Sequence, residues 1–112
     1  MSEVIAMSPL DLEVVKRFKT LMLDAGVPLI QLVLFGSRAR GDADPDSDYD
    51  VLVEVVGLNS AVRKLVGRCA WEAGFEQGAL ITPVLVTSDE IEHGPMRSSL
   101  LMLAVRQDGV AV

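Results

Sequence analysis

The chain is poor in several of the residues that most often announce a function. Its one cysteine, Cys69, leaves no disulfide framework and no cysteine-based zinc site. Its one histidine, His93, stands beside Gly94-Pro95 in an expected loop, where a surface role is the plain reading. Cations are outnumbered: 10 Lys and Arg against 16 Asp and Glu give a formal net charge of -6. Duplex nucleic acid asks for a basic face, so this balance argues against a duplex binder. It does not argue against a nucleotide, whose phosphates Mg2+ can screen. No apolar stretch is long enough to span a membrane, and Met1 to Ala6 is too short for a secretory signal. The expectation is a cytoplasmic protein with no membrane partner. Repeats and low-complexity segments are also absent.

What the chain has in quantity is apolar side chain. Half of its residues are hydrophobic, and 112 residues give room for a single domain, residues 1–112, with one core. That share is rich for so small a protein and leaves apolar surface for another subunit, a second copy included, to cover.

The chain is organised around Leu34 to Val53. Gly36-Ser37 is followed by ten residues and then by Asp48-Tyr49-Asp50, with apolar runs at Leu29–Phe35 and Val51–Val56. This reads as strand, glycine-serine turn, polar loop, strand. A strand sends alternate side chains to one face, so Asp48 and Asp50 project together while Val51, Val53 and Val55 anchor the other face. Two carboxylates aimed at one point repel, and a hard cation relieves them. Mg2+ takes one or two carboxylates and completes its shell with phosphate oxygens. Gly36 lets the backbone approach a phosphate, Ser37 offers a hydroxyl and an N–H, and Arg38 and Arg40 add cations that suit phosphate. A phosphate cradle facing a carboxylate metal site is the layout for metal-assisted phosphoryl or nucleotidyl transfer. The competing reading is a solvated acidic loop or a calcium loop, since Asp42, Asp44, Asp46 and Asp48 crowd together. A calcium loop would need a regular twelve-residue ligand spacing closed by Glu, and Pro45 interrupts the run.

The segment FGSRARGDADPDSDYDVLV, residues 35–53, resembles the signature of the polymerase β-type nucleotidyltransferases. In particular it is similar to the minimal nucleotidyltransferases that act as antitoxins beside HEPN proteins. The resemblance implies a palm-like fold and a nucleotide site with Mg2+ on Asp48 and Asp50. It places the phosphates of ATP or another NTP on Gly36, Ser37 and Arg40. Arg38 is expected to belong to the scaffolding of the loop. The implied activity is transfer of AMP, or another NMP, to a hydroxyl, with a tyrosine of a HEPN-type toxin as acceptor.

The remaining elements follow from capping and periodicity. Ser8-Pro9 opens a helix whose apolar stripe runs from Leu10 to Ala25, with Gly26 as its stop. Asp11 and Glu13 sit early in that helix, where the dipole favours acids. Leu29–Phe35 reads as a strand buried on both faces. Arg38 to Gly41 reads as a short helical turn and Asp42 to Ser47 as a surface loop. Asn59-Ser60 caps a helix to about Gly74, with Cys69 on its inner stripe and Trp71 at a core rim or subunit contact. Leu80–Val86 is a third strand, and Pro83 within it demands a sheet edge or a bulge. A helical turn at Ser88, a helix over Met96–Arg106 and a short strand at Val110–Val112 close the chain. This order gives an α/β or α+β architecture, a small mixed sheet flanked by helices.

One departure from the family pattern stands out. Its active members carry a third carboxylate on the third strand, near Ile81, Thr82 or Pro83, and none of these is an acid. A threonine hydroxyl does not ionise near neutral pH and cannot replace it. Glu54, on the face of Asp48 and Asp50, or a partner residue would have to fill the gap; as a bland alternative Glu54 is a strand-end surface acid or partner contact. Three functions remain: AMP transfer as an antitoxin, a nucleotide- or partner-binding module without turnover, and transfer to a small molecule such as an aminoglycoside. The last needs extra sequence to cradle its acceptor.

Overall fold

The computed structural model describes residues 8–95 and 99–112. Helix α1 spans Pro9–Asp24, and the Ser8 hydroxyl accepts from the Asp11 N–H at 3.1 Å, as a Ser-Pro start requires. Gly26, at φ +86°, turns the chain out of it. Strand β1, Leu29–Phe35, leads through the single turn α2, Ser37–Arg40, to strand β2, Tyr49–Val55. Helix α3, Ser60–Glu76, is capped by the Asn59 side chain at 2.9 Å and crosses to strand β3, Ile81–Thr87. Helices α4, Ser88–His93, and α5, Leu100–Asp108, then lead to strand β4, Val110–Ala111. The expected helix start at Met96 lies outside the described residues.

The sheet order is β3-β2-β1-β4. β1 runs antiparallel to β2 and β4, while β2 and β3 are parallel, as a helical crossover allows. The sheet is therefore mixed, and Pro83 sits on an edge strand, where its missing N–H is tolerated. α1 and α3 cover one face, burying Val51, Val53 and Val55 against Val14, Phe18, Met22, Val66 and Ala70. The other face packs Val33, Phe35, Leu52 and Val86 against Met102 and Val105 of α5. Among the described residues no helix is long and apolar enough to cross a membrane.

Three expectations are refined. β1 is buried only in its second half; Ile30 and Gln31 face solvent beyond a break in register near the strand start. Glu54 is no surface acid: it is buried, accepting from Gln31 Nε2 at 2.7 Å and from the Ser88 hydroxyl at 2.6 Å. Trp71 is 64% exposed rather than tucked at a core rim, and it stacks on the exposed Phe75 with ring centroids 4.9 Å apart.

Candidate active site

The site is built where β1 ends and β2 begins, because the register places Asp50 between Phe35 on one neighbour and Thr82 on the other. The buried Phe35 delivers the chain to Gly36, whose backbone takes φ +78° and ψ -157°, a region that only glycine enters without strain. A Cβ on Gly36 would lie 2.6 Å from Asp50 Oδ2. Glycine is thus required twice, for its dihedral angles and for the closeness of its backbone to the carboxylate. The chain then winds one turn, with Arg40 N–H donating to the Gly36 carbonyl at 3.1 Å, and Gly41 ends the turn at φ +81°.

Asp48 is exposed at the mouth of β2, and Asp50 is half-buried one step inside it. Burial pushes the Asp50 carboxyl above its ordinary value; the charge of Asp48 adds to the shift, and Arg40 opposes it. Arg40 is not free. Its guanidinium donates to Asp42 at 3.2 Å and to Asp108, at the end of α5, at 3.3 Å.

Arg38 plays a different part. It donates to the Ser47 carbonyl at 2.8 and 3.2 Å, to the Pro45 carbonyl at 3.0 Å and to Asp11 at 3.3 Å. It also lies over the Tyr49 ring, 4.3 Å from its centroid. Ser47 closes the loop on itself, accepting from the Asp44 N–H at 3.0 Å. Both residues are loop scaffolding, Arg38 as the resemblance implied. Asp11, placed in sequence only by the helix dipole, is buried and receives the Tyr49 hydroxyl at 2.7 Å. The sign of this link in sequence was the lone tyrosine between two acids: strand alternation turns it away from Asp50, toward α1.

Thr82 sits level with Asp50 in the parallel ladder and is exposed, so of Ile81, Thr82 and Pro83 it is the one paired with Asp50. Glu54 does not stand in: it lies four residues up the strand from Asp50, roughly 13 Å along it, and its oxygens accept from Gln31 and Ser88. Among the described residues no group of three or more His, Cys, Asp or Glu side chains could hold a metal unaided. The donor set still suits Mg2+: two hard carboxylates, one of them disfavoured as a bare charge, beside a glycine backbone open to phosphate. Phosphate oxygens and water would complete the shell. A cavity of about 260 Å³ lined by Asp11, Arg38, Gly41 and Pro45 lies behind the loop and does not include the acid pair.

Comparison with known proteins bears on the family and the fold. The nucleotidyltransferase domain family matches residues 13–102. A candidate protein adenylyltransferase of Methanocaldococcus jannaschii is 34% identical over 94 residues, which are 73% of this chain and 92% of that protein. In fold the chain resembles a toxin-antitoxin complex solved with AMP-PNP, with TM-score 0.58 and 22% identity over 86% of this chain and 69% of that one. It also resembles a chain of the complex between a tri-AMPylated Shewanella oneidensis HEPN toxin and its minimal nucleotidyltransferase antitoxin. That match has TM-score 0.52 and 19% identity over 89% and 69% of the two chains. The fold expected from residues 35–53 is therefore the fold observed, and the chain belongs to the nucleotidyltransferase domain family.

Proposed function

We propose that this chain transfers AMP from ATP to a hydroxyl on a partner protein, as the antitoxin of a HEPN-type toxin. The observation that carries the reading is the contact between Gly36 and Asp50. It sets the half-buried Asp50 carboxylate, with the exposed Asp48 two residues before it, against a backbone that only glycine permits. Asp48 and Asp50 would hold Mg2+, which supplies charge stabilisation to the reacting phosphates when bound. Gly36 and Ser37 would seat the phosphates. Arg40, half exposed at the rim, needs only to exchange Asp42 or Asp108 for a phosphate oxygen. In the transfer the acceptor oxygen bonds the α-phosphorus, the bond to pyrophosphate breaks, and the acceptor proton is released.

Thr82 bears on the acceptor. With Thr82 rather than a third carboxylate beside Asp50, no further base is placed for that proton among the described residues. A phenol, with a pKa of about 10, needs far less help than an alkyl hydroxyl or water, which are far weaker acids. The gap thus favours a tyrosine, which fits the AMP-modified toxin of the structural relative. The cytoplasm, where ATP and Mg2+ are abundant, is the setting this requires.

The test is labelling with ATP radioactive at the α-phosphate, with Mg2+ and the protein encoded beside this one. Label should appear on that protein's tyrosine and vanish with Asp48→Asn or Asp50→Asn. The vacant position at Thr82 favours one second reading, a binding module without turnover. It predicts a tight partner complex and bound ATP, with no label even in Mn2+.

A further inference from the structure

The acid pair is held from behind. Tyr49 lies between Asp48 and Asp50 in the chain, and its ring points to the opposite side of β2, where α1 packs. There its hydroxyl donates to Asp11 Oδ1 at 2.7 Å, and its N–H donates to the Leu80 carbonyl at 2.9 Å. Arg38 covers the ring, donates to the same Asp11 oxygen, and grips the carbonyls of Pro45 and Ser47. Residue 47 is thus fixed by the guanidinium and residue 49 by the phenol and the strand. Asp48, exposed and between them, takes its place from two neighbours that are each fastened to α1.

Asp11 is buried and Arg38 largely shielded, with side chains 9% and 13% exposed. Desolvation makes such a pair a weak source of stability, because both charges give up water to meet. A planar fork that meets two carbonyls and a carboxylate, and stacks on a ring, instead specifies one geometry.

We infer that Asp11, Arg38 and Tyr49 form a positioning clamp that sets the separation and direction of the Asp48 and Asp50 carboxylates for the metal-bound nucleotide. None of the three touches the reacting atoms. The inference rests on the nucleotide reading above, but the clamp itself can be judged without it.

The experiment compares Arg38→Lys, Tyr49→Phe and Val66→Ala with the unaltered chain. Val66 is buried on the inner face of α3 and makes none of the clamp's hydrogen bonds, so Val66→Ala supplies a loss of global stability that leaves those bonds in place. Two quantities are read on folded protein: the affinity for Mn2+–ATP, by the Mn2+ paramagnetic resonance signal, and the hydrogen exchange of the Asp44 and Ser47 amides. Those amides are held only by bonds inside the loop. Arg38→Lys should speed their exchange about tenfold or more, and both clamp variants should weaken Mn2+–ATP about tenfold. Val66→Ala should change neither. Unaltered Mn2+–ATP affinity in folded Arg38→Lys and Tyr49→Phe would overturn the clamp, as would an equal loss in Val66→Ala. If the unaltered chain binds no Mn2+–ATP, the nucleotide reading falls. Loop exchange then decides the clamp, which fails if Arg38→Lys leaves the Asp44 and Ser47 amides protected.

Discussion

Two sides of one strand end are built on opposite terms. Behind Tyr49, the polar side chains are bonded to one another: the phenol to Asp11 at 2.7 Å, Arg38 to the same Asp11 oxygen at 3.3 Å, and Arg38 to two loop carbonyls. In front, Asp48 lies in solvent, Asp50 is pushed toward its neutral form, and Thr82 leaves a gap where a third acid is expected. The contrast teaches a division of labour. The rear is tied together by hydrogen bonds and supplies order, while the front, on the proposed reading, presents its carboxylates to a ligand and relies on the rear for shape.

The largest effect should follow from breaking the front. Asp48→Asn or Asp50→Asn should lower Mn2+–ATP affinity at least a hundredfold, about 2.7 kcal/mol, with the fold intact by circular dichroism. Next comes the seam between the two sides. Gly36→Ala must hold a positive φ and drive a methyl against Asp50, which should cost about 1–3 kcal/mol in urea melts and remove nucleotide binding as well.

The rear can be read spectroscopically, because Tyr49 is the only tyrosine in the chain. Burial first, then its bond to Asp11, push the phenol up to about 12, against the opposing charge of Arg38. Absorbance titration should give a midpoint near that value in the folded chain and about 10 in denaturant. The folded value lies above the unfolded one. The stability tied to this proton is therefore complete below about pH 10 and is lost as pH rises toward 12.

The smallest effect sharpens the comparison. Asp50 carries its charge at a cost when no cation is present, since its carboxyl is raised in the folded state. That group's contribution improves as pH falls through the raised value and worsens as pH climbs. Metal-free Asp50→Asn should accordingly melt slightly higher than the unaltered chain at neutral pH, read by circular dichroism. A lower melting temperature would mean that the carboxylate is already satisfied within the chain.

Much of the front was legible in the sequence because it is local. Gly36, the ten-residue spacing and the alternation after Asp50 lie within twenty residues, and glycine, proline and capping residues mark the element ends directly. The rear was not, because its partners come from far along the chain. Asp11 and Tyr49 are 38 residues apart, and an acid early in a helix has a sufficient local explanation in the dipole. Glu54 misled for the same reason: its partners, Gln31 and Ser88, are 23 and 34 residues away. The exposed stack of Trp71 on Phe75 depends on which side of α3 the sheet covers, which the helical period alone does not fix.

The most direct measurement is a Mn2+ paramagnetic resonance titration of the unaltered chain with ATP, repeated on Asp48→Asn and Asp50→Asn. Bound Mn2+ that requires ATP and disappears in both variants is the expected result. Equal binding in all three proteins, or none in the unaltered chain, would contradict a nucleotide-metal site at the head of β2.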